Sequence, residues 1–184
     1  MLRFVTTNPG KVREARAYLP REVEQLDYDY AEIQSDDLAE IAARGAREAT
    51  GAADGPVFVE DSGLFVDALS GFPGPYSSYV YDTLGIDRVA GLARAEDDRS
   101  ARFRSVIAYC DGDAVETFDG IVEGRIVEPR GEGGFGYDPI FEHDGRTFAE
   151  LPTEEKNAVS HRGRALAVFA DWLAGESEGD GGAR

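Results

Sequence analysis

The order of hydrophobic and polar residues predicts a chain in which strands and helices alternate. Residues 2–6 are typical of a short strand, and apolar residues at the spacing i, i+3 and i+7 predict a helix over 11–19. A second strand is predicted over 23–27. A strongly amphipathic helix is predicted over 36–50, capped by Ser35 or Asp36.

The rest of the chain repeats this alternation, with breaks at glycine and proline. Its predicted elements are strand 56–60 ending at Glu60-Asp61, irregular segment 71–76, helix 77–95, strands 101–110 and 114–127 joined at Asp111-Gly112-Asp113, Gly-rich loop 131–136 and helix 160–174. Alternating strands and helices with one long hairpin predict an α/β fold with a mixed sheet.

Net charge narrows the classes of partner. The 184 residues include 36 acidic and 19 basic ones, a formal charge of −17. Such a surface repels nucleic acid and anionic membranes, so neither is expected as a partner. Lys11 and Lys156 are the two lysines, so 19 less two leaves 17 arginines. Acid-rich, lysine-poor surfaces suit a cytoplasm with molar salt, and we favour a halophilic source over a GC-rich genome alone.

Composition also bears on location and domain organisation. One cysteine, Cys110, excludes an internal disulfide framework and fits a reducing, cytoplasmic setting. No apolar run approaches the roughly 20 residues that span a bilayer, and the first residues lack signal-peptide features. We expect one domain over 1–174, followed by a disordered, acidic, Gly-rich tail over 175–184.

The segment from Thr6 to Lys11, Thr-Thr-Asn-Pro-Gly-Lys, is a candidate phosphate loop because it joins a strand to a helix. Backbone N–H groups at a helix start attract anions, and a lysine adds a point charge. The spacing of a Walker A loop is absent. The competing interpretation is an ordinary turn with an Asn cap.

Glu60-Asp61-Ser62-Gly63 is a candidate metal site at the predicted end of a buried strand. Carboxylates at such ends in α/β sheets commonly face a ligand crevice, and their hard oxygens suit Mg²⁺. The alternative is a strand end followed by a simple cap or turn.

Two later segments could contact a nucleotide. Phe135-Gly136-Tyr137-Asp138 could stack on and hydrogen-bond a planar base, or could be a packed turn. Lys156, His161 and Arg162 place three potential cations near the start of the last helix. They could bind phosphate, or they could be solvated neighbours of a Ser160 cap.

Taken in order, the motifs TTNPGK, EDSGL, GFPGPY, FGYDPIF and KNAVSHRGRAL resemble the inosine/xanthosine triphosphate pyrophosphatase family over residues 3–173. The resemblance implies an elongated α/β fold with a long mixed sheet, two lobes and a central cleft. It also implies a homodimer and a divalent cation, Mg²⁺ with Mn²⁺ as a substitute. Members hydrolyse ITP, dITP and XTP to the monophosphate and pyrophosphate, which cleanses the nucleotide pool.

The resemblance also implies roles for individual residues. Asp61 corresponds to the proton acceptor and metal ligand, and Glu32 corresponds to the second metal carboxylate. Glu60 stands where many bacterial members of the family carry aspartate, so this position keeps a carboxylate. The implied substrate contacts are Thr6, Thr7, Asn8, Pro9, Gly10, Lys11, Ser62, Phe135, Gly136, Tyr137, Asp138, Lys156, His161 and Arg162.

These roles give a reaction in which water attacks the α-phosphorus and pyrophosphate leaves. Asp61 would deprotonate the water, while Lys11 and Lys156 hold the triphosphate. His161 and Arg162 would donate to the 6-keto oxygen of the base, and Phe135 or Tyr137 would stack on it. Two alternatives remain open: a related pyrophosphatase for modified pyrimidine nucleoside triphosphates, and a non-catalytic nucleotide-binding protein.

Overall fold

A computed structural model of the chain describes residues 1–179. Its strands are β1 (Leu2–Val5), β2 (Val23–Leu26), β3 (Val57–Val66), β4 (Pro73–Gly74), β5 (Ser100–Cys110), β6 (Val115–Ile126), β7 (Phe141–His143) and β8 (Arg146–Thr147). Its helices are α1 (Pro9–Tyr18), α2 (Leu38–Thr50), α3 (Ser77–Leu84), α4 (Ile86–Arg94), α5 (Thr153–Val159) and α6 (His161–Gly179).

The strands form one open, mixed sheet. Its order is β2-β1-β3-β5-β6-β7-β8, and β4 pairs with β3 off this path. Strand β1 is parallel to both β2 and β3, whereas the pairs β3–β4, β6–β7 and β7–β8 are antiparallel. The predicted α/β class with a mixed sheet is therefore confirmed.

Several predicted element boundaries were wrong. Strand β3 does not end at Glu60-Asp61 but continues to Val66. The predicted helix 77–95 is two helices, because Gly85 adopts a φ of 77° between them. Helix α2 is capped by the Asp37 side chain, which accepts from the Ala39 N–H, rather than by Ser35 or Asp36.

The last part of the chain also differs from the prediction. A separate short helix, α5, carries Lys156 before α6 begins at His161. Helix α6 runs on to Gly179, so residues 175–179 of the predicted disordered tail are helical. Residues 180–184 of that tail lie outside the described residues.

The chain forms two compact units whose segments alternate along the sequence. The first unit comprises Met1–Asp61, Ser105–Gly120 and the chain from Arg162 onward, and the second comprises Ser62–Arg104 and Ile121–His161. Because β3, β5 and β6 each contribute residues to both units, no single point divides the chain into consecutive domains.

Each unit has its own hydrophobic core. In the first, the rings of Phe4 and Phe58 stack with centroids 4.3 Å apart, and Phe169 packs against Phe58. In the second, Phe103, Phe141 and Phe148 pack together among aliphatic residues of α4, β5 and β6. Within the described residues, none of the helices has the length and apolar character that crossing a membrane requires.

Candidate active site

The candidate phosphate loop is the capped start of α1. Helix α1 begins at Pro9, and the Asn8 side chain accepts from the N–H groups of Gly10 at 2.8 Å and Lys11 at 3.3 Å. The Asn8 N–H in turn donates to the Thr6 hydroxyl at 3.1 Å. Thr7 lies exposed within this loop. The Asn cap is therefore present, and the Lys11 side chain supplies the positive charge at this helix start.

Glu60 is the centre of a buried ion-pair cluster in the first unit. Its carboxylate lies 2.7 Å from the Lys11 ammonium and 3.2 Å from the Arg162 guanidinium, and accepts from the Ser105 hydroxyl at 2.6 Å. Arg162 also pairs with Glu14 at 3.3 Å. The other members of the cluster come from three elements: Lys11 and Glu14 from α1, Ser105 from β5 and Arg162 from α6. Tertiary packing rather than local sequence therefore assembles the cluster.

The electrostatics of this cluster keep Glu60 and Arg162 ionised. Burial alone would raise the pKa of Glu60, but Arg162 and Lys11 hold it well below its usual range. Burial would likewise lower the pKa of Arg162, but Glu60 and Glu14 raise it above the usual value. Arg162, which the resemblance implies as a substrate contact, is thus ion-paired to two carboxylates and 6% exposed.

Asp61 follows Glu60 in β3 and therefore projects from the opposite face of the strand. It is half-buried, as is the neighbouring Ser62. Burial raises the pKa of Tyr30 well above its usual value, and the nearby charges of Asp61, Glu32 and Glu60 raise it further. The charges of Asp61 and Glu32 therefore both raise the pKa of the Tyr30 hydroxyl, although the two residues are 29 positions apart in the sequence.

The position of Tyr30 depends on a glycine in α2. A Cβ added at Gly45 would lie 2.5 Å from the Tyr30 ring, so the ring packs directly on the helix backbone. This contact holds the residues before α2, and hence the segment that carries Glu32, against the helix.

The donor set at Asp61 and Glu32 fits a hard divalent cation that keeps much of its water. Among the described residues, no group of three or more His, Cys, Asp or Glu side chains could hold a metal ion. Mg²⁺ does not require such a cage, because it is usually bound by one or two carboxylates together with water and substrate phosphates.

The Phe135–Asp138 segment forms a compact turn in the second unit. Asp138 is 3% exposed and accepts from the Phe135 N–H at 2.8 Å. A Cβ at Gly134, where φ is 72°, would lie 2.2 Å from an Asp138 oxygen, so only glycine fits this close approach. Gly136 also has a positive φ, of 61°. The segment is therefore a packed turn, and it leaves the Phe135 side chain exposed.

The two aromatic residues of this turn have different surroundings. Tyr137 is 4% exposed, donates its hydroxyl to the Ser77 carbonyl at 2.9 Å, and packs edge-on against Tyr81. Phe135 is 58% exposed, and the Lys156 ammonium lies 4.4 Å from its ring centroid. Of the two rings, Phe135 presents the accessible face.

His161 begins α6 and stacks on an aromatic residue of the same unit. Its ring lies 4.6 Å from that of Phe103, with 10° between the planes, and the residue is 7% exposed. The Phe103 ring also stacks with the Phe148 ring, with 8° between the two planes. The plane of the His161 ring is therefore set by packing against β5.

The predicted site residues divide between the two compact units. Lys11, Arg162, Asp61 and Glu32 belong to the first unit, and the predicted residues of 135–138 with Lys156 and His161 belong to the second. Sequence reasoning missed the organising role of Glu60 and its partners Ser105 and Glu14. The available signal was the apolar residues on both sides of Glu60-Asp61-Ser62, which mark an uninterrupted strand.

The protein is of the α/β class, with an open mixed sheet. Its inner strand β3 carries the adjacent carboxylates of Glu60 and Asp61, and Glu60 pairs with Lys11 at the start of α1. A family model describes the chain more closely: residues 2–172 match the Ham1 family, and the chain belongs to that family. A Thermococcus kodakarensis protein named dITP/XTP pyrophosphatase is 57% identical over 178 residues, covering 94% of this chain and 96% of that protein.

Solved structures agree with this assignment. A HAM1 protein from Coxiella burnetii has a TM-score of 0.85 and 36% identity, covering 95% of this chain and 99% of that one. The Staphylococcus aureus Ham1 protein has a TM-score of 0.86 and 32% identity, covering 96% and 100%.

Proposed function

We propose that this protein hydrolyses the non-canonical purine nucleoside triphosphates ITP, dITP and XTP to the monophosphate and pyrophosphate. The observation that carries the proposal is the arrangement around β3, where Glu60 holds Lys11 at the start of α1 and the charges of Asp61 and Glu32 both act on Tyr30. The name of the Thermococcus kodakarensis relative supports the substrate class.

The proposed chemistry uses the residues of β3 and α1. Asp61 orients the attacking water and accepts its proton. Lys11 at the start of α1 binds the triphosphate oxygens and aligns the α-phosphorus with the water. A divalent cation held by Glu32 and Asp61 would neutralise charge on the leaving pyrophosphate.

Base selection is assigned to the Phe135 turn and the start of α6. The exposed face of Phe135 can stack on a purine, and the Lys156 ammonium against its ring fixes the ring in place. His161 donates to the 6-keto oxygen that hypoxanthine and xanthine carry and adenine lacks. A donor that faces an amino group instead is left without an acceptor, which disfavours ATP.

The proposal includes the setting in which the enzyme acts. We propose Mg²⁺ as the cation, with Mn²⁺ able to replace it, a homodimer, and a cytoplasm of high salt. The net charge of −17 supports the last point, because such a chain repels itself unless salt screens it. Thermal unfolding with and without molar KCl tests it, and full stability in dilute buffer would contradict it.

A pyrophosphate-release panel over ITP, XTP, GTP, ATP and dUTP tests the proposed activity. We expect pyrophosphate release from ITP and XTP, and much slower release from the canonical purine nucleotides GTP and ATP. A preference for dUTP would favour the pyrimidine-specific alternative. Nucleotide binding without release from any substrate, in the presence of Mg²⁺ or Mn²⁺, would favour the non-catalytic alternative.

A further inference from the structure

The Glu60 carboxylate is held rigidly from one side. Glu60 lies in β3, and Val59, the residue before it, pairs with Val5 of β1. The Glu60 side chain is 1% exposed. The Ser105 hydroxyl donates to one carboxylate oxygen at 2.6 Å, and the Arg162 guanidinium lies 3.2 Å from the same oxygen. Arg162 is itself fixed by Glu14 at 3.3 Å. These contacts leave the carboxylate little freedom to rotate.

The other carboxylate oxygen of Glu60 faces Lys11. The Lys11 ammonium lies 2.7 Å from that oxygen, and the Lys11 side chain is 22% exposed, whereas Glu60 is buried. A lysine side chain has four rotatable bonds and a large conformational entropy when it is unrestrained. The pairing with Glu60 therefore selects one position for an ammonium that still reaches solvent.

The charges of the cluster do not maximise its attraction for anions. Lys11 and Arg162 contribute two positive charges, and Glu60 and Glu14 contribute two negative ones, so the four groups sum to zero. A site selected only for anion affinity would leave its cations without buried counter-ions. The neutral arrangement instead favours a fixed geometry of the ammonium.

We propose that Glu60 is a positioning residue for the hydrolysis reaction, which fixes the Lys11 ammonium at the start of α1 while Ser105 and Arg162 brace the carboxylate. This inference rests on the proposed function. Without Glu60, Lys11 keeps its charge but samples many rotamers, so the triphosphate binds without being held in line. The loss then falls on kcat more than on KM.

A double-mutant cycle between Glu60→Gln and Lys11→Met tests this inference with ITP as substrate. We expect Glu60→Gln alone to lower kcat by about 10- to 100-fold, with KM unchanged or lower because the cluster gains one positive charge. In the Lys11→Met background, the same substitution should lower kcat by less than about threefold. An equal loss in both backgrounds would overturn the inference, because Glu60 would then act independently of Lys11.

Two further variants separate positioning from stability. Glu142→Gln is the matched control, because Glu142 pairs with Arg125 at 2.8 Å and Arg130 at 2.6 Å and takes no part in the Glu60 cluster. We expect its kcat to stay within about twofold of wild type, because these ion pairs are independent of the Lys11–Glu60 pair. If Glu60→Gln does not fold, Ser105→Ala replaces it, since this change removes one brace without altering charge. A severalfold loss of kcat that disappears in the Lys11→Met background supports the inference, and a loss that persists there overturns it.

Binding of inorganic tripolyphosphate, measured by calorimetry, distinguishes failure of this inference from failure of the proposed function. The probe has no base and requires no turnover of a nucleotide. We expect Lys11→Met to weaken its binding by about tenfold, the effect of losing one charged contact, and Glu60→Gln not to weaken it. If wild type releases no pyrophosphate from ITP, the proposed function fails. If Glu60→Gln weakens tripolyphosphate as much as Lys11→Met does, the positioning role fails.

Discussion

The ammonium of Lys156 lies 2.5 Å from the Asp138 carboxylate and 4.4 Å from the centre of the Phe135 ring. The two charged side chains are almost wholly buried, with 10% and 4% of their surfaces exposed. Asp138 also accepts from the Phe135 N–H. The lysine from α5 therefore ties the exposed aromatic turn to the core of its unit, in addition to any charge that it offers to a ligand.

Lys156→Ala is expected to destabilise the protein. It leaves the Asp138 carboxylate buried without this cation, and breaking a buried pair on one side typically costs about 3–5 kcal/mol. Urea unfolding monitored by circular dichroism measures the change. The double variant Lys156→Ala with Asp138→Asn removes the orphaned charge and should recover part of the loss. An unchanged urea midpoint for Lys156→Ala would show that the ion pair does not contribute to stability.

Asp61→Asn is expected to abolish most turnover while the fold is retained. The amide keeps the shape of the half-buried side chain but cannot accept the proton of the attacking water, so kcat with ITP should fall by at least about 10²-fold. The matched control is Asp67→Asn, whose carboxylate pairs with Arg102 in the second unit. The control should keep near-normal turnover, and both variants should melt close to wild type. Turnover near that of wild type in Asp61→Asn would rule out the role as base.

Glu32→Gln is expected to weaken the binding of the divalent cation. Removing one of two carboxylates should raise the Mg²⁺ concentration for half-maximal activity by about tenfold, because affinity depends on ligand charge. Direct titration with Mn²⁺, followed by calorimetry, provides a readout that does not depend on turnover. Glu24→Gln is the control, since Glu24 is an exposed partner of Arg3 at 3.6 Å. If Glu32→Gln binds Mn²⁺ as tightly as this control, the second ligand lies elsewhere.

Local patterns in the sequence predicted most of the fold but placed the end of β3 wrongly. The polar run Glu60-Asp61-Ser62 resembles a strand end, because buried strands rarely contain adjacent charges. The strand continues because Glu60 is neutralised by residues that are remote in sequence, Lys11 and Arg162. Periodicity within a window cannot detect such compensation.

The candidate site was predicted less completely than the fold. The residues named from the motifs lie at the starts of α1 and α6, within α5, in the inner strand β3 and in the Phe135 turn. The contacts that these residues make could not be inferred, because the sequence does not show that Arg162 forms an ion pair with Glu14 or that His161 stacks on Phe103. Those contacts depend on how α6 packs against β5 and α1, which is a property of the assembled core.

The adjacent residues His161 and Arg162 are expected to respond differently to substitution, although both were implied as contacts to the base. His161→Ala removes a ring stacked on Phe103 and a donor to the 6-keto oxygen, so the preference for ITP over ATP should shrink by about tenfold. His143→Ala is the control: this other histidine contacts the Glu123 carbonyl and should leave the preference unchanged.

Arg162→Ala removes a guanidinium that pairs with two carboxylates, Glu14 and Glu60, and leaves them buried without it. We expect a loss of stability of about 3–5 kcal/mol in urea unfolding, with ITP and ATP turnover reduced in similar proportion. If Arg162→Ala instead keeps its stability and loses its preference for ITP, the guanidinium reads the base directly. If neither variant changes the preference, discrimination must lie in the Phe135–Asp138 turn, where the exposed Phe135 ring is the next residue to substitute.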